Sequence, residues 1–203
     1  MAHLYAGLIA STLNIIFIPV IIFIARSRGW FDQVNARKIH TGKIPRLGGV
    51  GIFWSFALTL VLVLVFATAT GSDAIRYWPV ALAMAIVHFV GLLDDFRDLR
   101  ARLKFLAHTL SAVIVVAAGY RFRSVYLPWA GVLDLGVLSY PLTVVWIVGV
   151  INALNMIDGM DGLSGGISII GAFSLGLILM ERNLSTPAVA AVALVGSLAG
   201  YLF

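Results

Sequence analysis

This sequence predicts an all-α fold, a polytopic bundle of about seven transmembrane helices that forms one integral membrane domain over residues 1–203. Three observations predict it. Hydrophobic residues make up 61% of the chain and charged residues 11%, against roughly 45–50% and ~25% in soluble domains. Mean hydropathy is +1.03. Uncharged runs long enough for a ~30 Å hydrocarbon core recur along the whole chain, and the charges collect between them. The chain has no cysteine, which excludes a disulfide framework, a thiolate metal site and a cysteine nucleophile. The net charge of +5 is not a nucleic-acid footprint, because the basic residues flank apolar runs. The expected partner surface is membrane lipid, with no nucleic acid.

The elements follow in order. Leu4 to Ala25 is 22 residues without a charge. No basic segment precedes it and no A-x-A-like cleavage site follows it, so it reads as a retained first helix. Leu47 to Ser72 gives a second span. Tyr77 to Leu93 and Phe105 to Tyr120 give a short third and fourth, each expected to extend into its flanks. Leu135 to Ile157, Leu163 to Met180 and Asn183 to Phe203 complete the set. His88 and His108 lie inside spans three and four and read as hydrogen-bonding groups within the bundle, not as a zinc motif. The segment from Arg121 to Tyr140, with Pro128, Gly131, Gly136 and partial alternation, reads as a hairpin or re-entrant turn. Small residues such as Gly162, Gly165 and Gly166 permit close helix packing, and a homodimer is an open expectation.

Charge sets the orientation. Arg26, Arg28, Arg37, Lys38, Lys43 and Arg46 follow the first span, and Arg97, Arg100, Arg102 and Lys104 follow the third. These ten lie on one side of the membrane, and Arg76, Arg121, Arg123 and Arg182 lie on the other. The positive-inside rule makes the ten-residue side cytoplasmic and places the N-terminus outside. Three polar segments then share the cytoplasmic face.

The most informative of these is NALNMIDGMDG, Asn152 to Gly162. Asn152, Asn155, Asp158 and Asp161 recur every three residues, and no other charge lies between Leu135 and Met180. Ionisable groups beside membrane spans are costly and usually functional, although a lone Asp-Gly would suit a simple helix cap. The second segment is GLLDDFRDLRARLKF. If its helix continues, Asp94 and Asp95 point ~100° apart, and Asp98 returns to the face of Asp94. Two carboxylates at that spacing repel, so a cation is expected there: Arg97, Arg100, Arg102, Lys104 or a bound metal. A surface ion-pair network is the plainer alternative. The third segment ends in IPRLGG. Its bases suit either lipid headgroups or a phosphate. Pro45 stiffens the turn, and Gly48 and Gly49 allow close approach of a ligand or a helix. Arg46 from this loop and Asn152 are candidate substrate-binding residues.

Carboxylate and amide oxygens without clustered Cys or His favour a hard cation such as Mg²⁺, with Mn²⁺ as the alternative. The nearby Lys and Arg suit a phosphorylated substrate. A site at the membrane boundary allows one soluble and one lipid substrate, and phosphoryl transfer between them is the natural hypothesis.

The motifs RKIHTGKIPRLGG, GLLDDFRDLRARLKF and NALNMIDGMDGLSGG, in this order, resemble those of the polyprenyl-phosphate N-acetylhexosamine-1-phosphate transferases. The resemblance runs from about Asp32 to Phe203 and is strongest to the bacterial branch that moves GlcNAc-1-phosphate from a UDP-sugar to undecaprenyl phosphate. The peptidoglycan branch reads TPTMGG where this chain reads IPRLGG. The resemblance implies an Mg²⁺-dependent enzyme of the bacterial inner membrane that releases UMP at the first membrane step of an envelope polysaccharide. It implies that Asp94 and Asp95 are the acidic pair that ionises or orients the lipid phosphate. Lys104 would contact the donor diphosphate, Asn155 would bind metal with Asp158 beside it, and Asp161 would lie near the uridine. A phosphate monoester has a second pKa near ~6, so orientation is the larger role expected of the acids.

The family pattern continues with F-M-G-D-x-G-S and a His-containing loop, neither of which this sequence contains. The expectation is therefore that these 203 residues alone have little activity, as a fragment or a truncated homologue. A transporter is the rival class, but transporters place ionisable groups near the midplane. A CDP-alcohol phosphotransferase would read D-G-x-x-A-R, and here Asp158 begins DGMDGL.

Overall fold

Long helices occupy all seven predicted runs in the computed structural model, which describes residues 2–30, 47–66, 76–157 and 162–202, with no side chains for 64–66. They are α1 (Ala2–Arg28), α2 (Gly48–Phe66), α3 (Trp78–Arg97), α4 (Ala101–Ala117), α5 (Ser139–Ile157), α6 (Leu163–Glu181) and α7 (Ser185–Leu202). A two-stranded antiparallel sheet, β1 (Ser124–Leu127) and β2 (Gly131–Asp134), precedes α5, so the Arg121–Tyr140 segment is a hairpin. Among the described residues five stretches are long and apolar enough to cross a membrane: α1, α3, Gly136–Ile157, α6 and α7. Gly48–Val63 within α2 is a shorter apolar helix. The protein is a multi-pass membrane protein.

Helix ends follow local chemistry. Gly29 takes φ +71° after α1, and Gly29 and Trp30 donate their N–H groups to Arg26 O and Ala25 O. Gly119 and Asn183 close α4 and α6 with the same paired bonds, the Schellman arrangement that satisfies the last carbonyls. The third span does not stop at Leu93 but runs to Arg97, and α4 starts at Ala101. The apolar run ends before the helix does, because backbone bonding needs no apolar side chains.

The chain divides into two compact units. One comprises Met1–Ile75 and Ile157–Phe203. Its centre is α7, 44% buried over its apolar window where the other candidate spans are 11–17% buried. Small residues explain that burial. A Cβ on Gly196 would meet the backbone of Gly7, and one on Gly200 would lie 2.6 Å from Ser11 O. Gly196 and Gly200 thus form a G-x-x-x-G stripe on which α1 packs. Asn14, fully buried, donates from Nδ2 to Ser197 O, and Ser197 Oγ donates to Ile52 O at 3.0 Å. These bonds link α1, α7 and α2 in the buried interior of the unit. Gly162 and Gly165 both lie against Leu202, but Gly166 has open space around it.

The other unit is Arg76–Met156. It holds the α3–α4 pair, the hairpin and α5. Polar side chains seat the start of α5. Ser139 Oγ donates to Phe122 O, and Thr143 Oγ1 accepts from Phe122 N–H at 3.1 Å.

Candidate active site

The α3–α4 turn is built around Asp94. Asp98 sits at the C-cap of α3 with φ +44° and ψ +68°, a left-handed conformation that Asp tolerates better than most residues. Its N–H donates to Asp94 O at 2.9 Å. The next N–H, of Leu99, donates to Asp94 Oδ1 at 2.8 Å. One residue thus caps two consecutive amides, by its carbonyl and by its carboxylate. The other carboxylate oxygen, Oδ2, accepts from Lys104 Nζ at 2.7 Å. Both side chains are about a quarter to a third exposed.

The expectation that Asp98 would return to the face of Asp94 is corrected here. Asp98 has left the helix, so no i,i+4 carboxylate pair forms. Among the four cations that could relieve Asp94, Lys104 is the one paired with it in the structure. Asp95 is exposed in the last turn of α3, one residue round the helix from Asp94.

In α5, Asn152 is half-buried and Asn155, one turn on, is exposed. Asn152 Nδ2 donates to Val148 O at 2.8 Å. His108, 7% exposed on α4, lies near the Asn152 side chain. Lys104 lies one turn before His108 on the same helix. Asp94 is bonded to Lys104, and His108 stands one turn further along α4, near Asn152. His108 is expected to bond within the bundle; its Nδ1 is buried without a hydrogen-bond partner among the described residues, and the residue lies near Asn152.

Arg46, Asp158 and Asp161 lie outside the described residues. Next to Arg46, Leu47 takes φ +92°, a strained value for a branched side chain. Gly48 serves helix packing, since a Cβ there would lie 2.5 Å from Tyr201 Oη, and Gly49 faces open space. Among the described residues no three His, Cys, Asp or Glu gather into a metal site. The donor set still fits a hard cation in kind. Asn155 presents an exposed amide oxygen at the end of α5, and the carboxylates that follow it in sequence are oxygen donors too.

Residues 77–203 match the model of "Glycosyl transferase family 4". This chain belongs to glycosyl transferase family 4.

The match starts at Tyr77 and spans α3 to α7. It includes Asp94, Asp95, Lys104, Asn152, Asn155, Asp158 and Asp161, and it leaves out Arg46. Among curated relatives of this family 4 chain is a probable undecaprenyl-phosphate N-acetylglucosaminyl 1-phosphate transferase of Bacillus subtilis (strain 168). It is 32% identical over 205 residues, covering 100% of the chain and 56% of the relative. The undecaprenyl-phosphate alpha-N-acetylglucosaminyl 1-phosphate transferase of Yersinia pestis is 31% identical over 196 residues, covering 92% of the chain and 51% of the relative. The Escherichia coli (strain K12) protein of the same name is 27% identical over 184 residues, covering 88% and 47%. The chain spans about half the length of the curated relatives it matches.

Proposed function

We propose that this polypeptide takes part in the transfer of an N-acetylhexosamine 1-phosphate, GlcNAc-1-phosphate in the first instance, from a UDP-sugar to undecaprenyl phosphate. The observation that carries this reading is the Asp94–Lys104 pair at the α3–α4 turn of a family 4 membrane chain. A site in the last turn of α3 meets a lipid headgroup and a soluble nucleotide at the same depth. Mid-membrane acids, the mark of the transporter alternative, are not what α3 offers.

An oxygen of the lipid phosphate forms a bond to the sugar-linked phosphorus. The bond from that phosphorus to the bridging oxygen breaks, and UMP leaves with the bonding pair. Lys104 exchanges part of its contact with Asp94 for the donor diphosphate, which bears more negative charge than a carboxylate. Asp94, held by the Leu99 amide, keeps its place while Lys104 moves. Asp95 orients the attacking phosphate. Asn152 donates to Val148 O, so its role at the substrate is to fix the α5 end from which Asn155 projects. Arg46 and Asp161 supply further contacts to phosphate and uridine.

Family 4 is generally metal-dependent. Mg²⁺, or Mn²⁺ in its place, would be held by Asn155 with Asp158 and would offset charge on the departing phosphate. The reaction side is the cytoplasmic face of the inner membrane.

The test is UMP release and lipid-linked sugar formation from UDP-GlcNAc and undecaprenyl phosphate by membranes containing the polypeptide at its natural length. Transfer that disappears in Asp94→Asn and Lys104→Ala supports the reading. Normal transfer in both variants, or release of CMP from a CDP substrate instead, overturns it.

A further inference from the structure

The β1–β2 hairpin has the polarity of a membrane-seeking element. Its register pairs Ser124 with Asp134, Val125 with Leu133, Tyr126 with Val132 and Leu127 with Gly131. The one polar pair is at the base. Every pair beyond it is apolar, and so is the tip, Pro128-Trp129-Ala130. Pro128 and Gly131 supply the turn geometry here, without the Asn, Asp or Ser that commonly give a hairpin tip a polar, water-facing side chain. Here Tyr126, Trp129 and Val132 are 70%, 82% and 72% exposed. The apolar surface continues through Val137 and Leu138, also exposed.

The base of the hairpin is fixed to a membrane span. Asp134 lies two residues before the Gly136–Ile157 stretch. Leu135 N–H donates to Arg123 O, and Gly136 N–H donates to Asp134 Oδ1, both at 2.9 Å. The bonds from Ser139 and Thr143 to Phe122 tie the incoming strand to the first turns of α5. A four-residue strand reaches only ~13 Å, so the whole hairpin stays near the point where that span meets the membrane surface. A lone two-stranded sheet is marginal in water and needs a further surface against its apolar side.

We propose that this hairpin is an interfacial anchor. In this reading its tip, Leu127 to Gly131, lies in the boundary between headgroups and acyl chains of the adjacent leaflet. Trp129 and Tyr126 suit that layer because each joins an apolar ring to a hydrogen-bonding group. Exposed Arg123 at the base meets lipid phosphates, while Arg121 stacks over the Tyr140 ring at 4.1 Å. The anchor would hold the start of α5, and with it the rotation of the helix that ends in Asn152 and Asn155. It does not depend on the transferase reading.

The absence of cysteine makes the test direct, because one introduced thiol labels uniquely. Trp129→Cys, Ala130→Cys and Ser124→Cys are labelled with an environment-sensitive fluorophore after reconstitution in phosphatidylcholine–phosphatidylglycerol vesicles. Quenching by lipid-attached nitroxide is compared with quenching by aqueous iodide. At positions 129 and 130 the expected result is blue-shifted emission and several-fold stronger quenching by the lipid quencher; at 124 iodide should dominate. Ala130→Cys covers the case in which loss of the Trp ring itself releases the tip. Iodide quenching that dominates at 129 and 130 overturns the proposal. So does protection of both from either quencher, which would mark a protein partner in place of lipid.

Discussion

Asp94 and Lys104 are ten residues apart, on different helices, and meet at 2.7 Å across the α3–α4 turn. The pair does two jobs at once. It closes a turn whose backbone amides at Asp98 and Leu99 already depend on Asp94, and it holds a cation at the helix ends.

These jobs separate by substitution. Asp94→Asn keeps an oxygen for the Leu99 amide and loses the ion pair, so the folded state should lose about 1 kcal/mol, discounted for partial exposure. Transfer activity should fall much further, roughly 10²-fold or more, as for removal of a charged group from a transition-state contact. Lys104→Gln should raise the KM for the UDP-sugar. Thermal unfolding in detergent and steady-state UMP release check the two effects independently. Equal small losses in both would mean the pair is only structural.

His108, near Asn152, should behave as support for the site. His108→Leu removes a polar neighbour of that amide, and activity should drop about tenfold, within the range seen for outer-shell partners. His108→Gln, which keeps a polar group there, should recover most of it. A double-mutant cycle with Asn152→Ala should show coupling of about 1 kcal/mol in stability. Additive losses would disconnect the two residues.

Metal dependence should be carried by Asn155. Chelation with EDTA should abolish transfer, and Mg²⁺ should restore it. Asn155→Ala should raise the Mg²⁺ concentration for half-maximal activity about tenfold or more. An unchanged Mg²⁺ profile in that variant would remove Asn155 from the metal site.

Packing in the α1–α7 layer gives a prediction free of function. Gly196→Ala places a methyl group against the Gly7 backbone and should cost about 1–3 kcal/mol. Gly200→Ala should cost a similar amount. Gly171 has nothing within 4 Å of its added Cβ. Gly171→Ala should therefore be neutral or stabilise by about 0.5 kcal/mol, through lost freedom in the unfolded chain. Thermal unfolding of the three variants side by side decides it.

Much of the architecture was legible in the sequence. Each of the seven uncharged runs became a helix, and the Pro and Gly residues between Arg121 and Tyr140 marked a hairpin or re-entrant turn, of which the structure forms the hairpin. The Asp-Asp sequence at 94–95 lies at the α3–α4 turn, which Asp94 caps. What failed was the treatment of Asp98. Helical spacing placed it above Asp94, but a left-handed cap turned it away. Cap geometry is a choice among local conformations close in energy, and spacing alone does not make that choice.

By itself the sequence determined the membrane class, the order of the helices and the family motifs, because hydropathy and motif spacing are properties of contiguous residues. Only the tertiary structure decided which residues face one another. It chose Lys104 over Arg97, Arg100 and Arg102 for Asp94, and Gly7 for Gly196. The reason is physical. A helix that is apolar all round has no hydrophobic face, so its periodicity carries no information about how it is rotated. In such a chain, facing is set by small residues that let backbones approach and by the few polar groups that must find partners away from water.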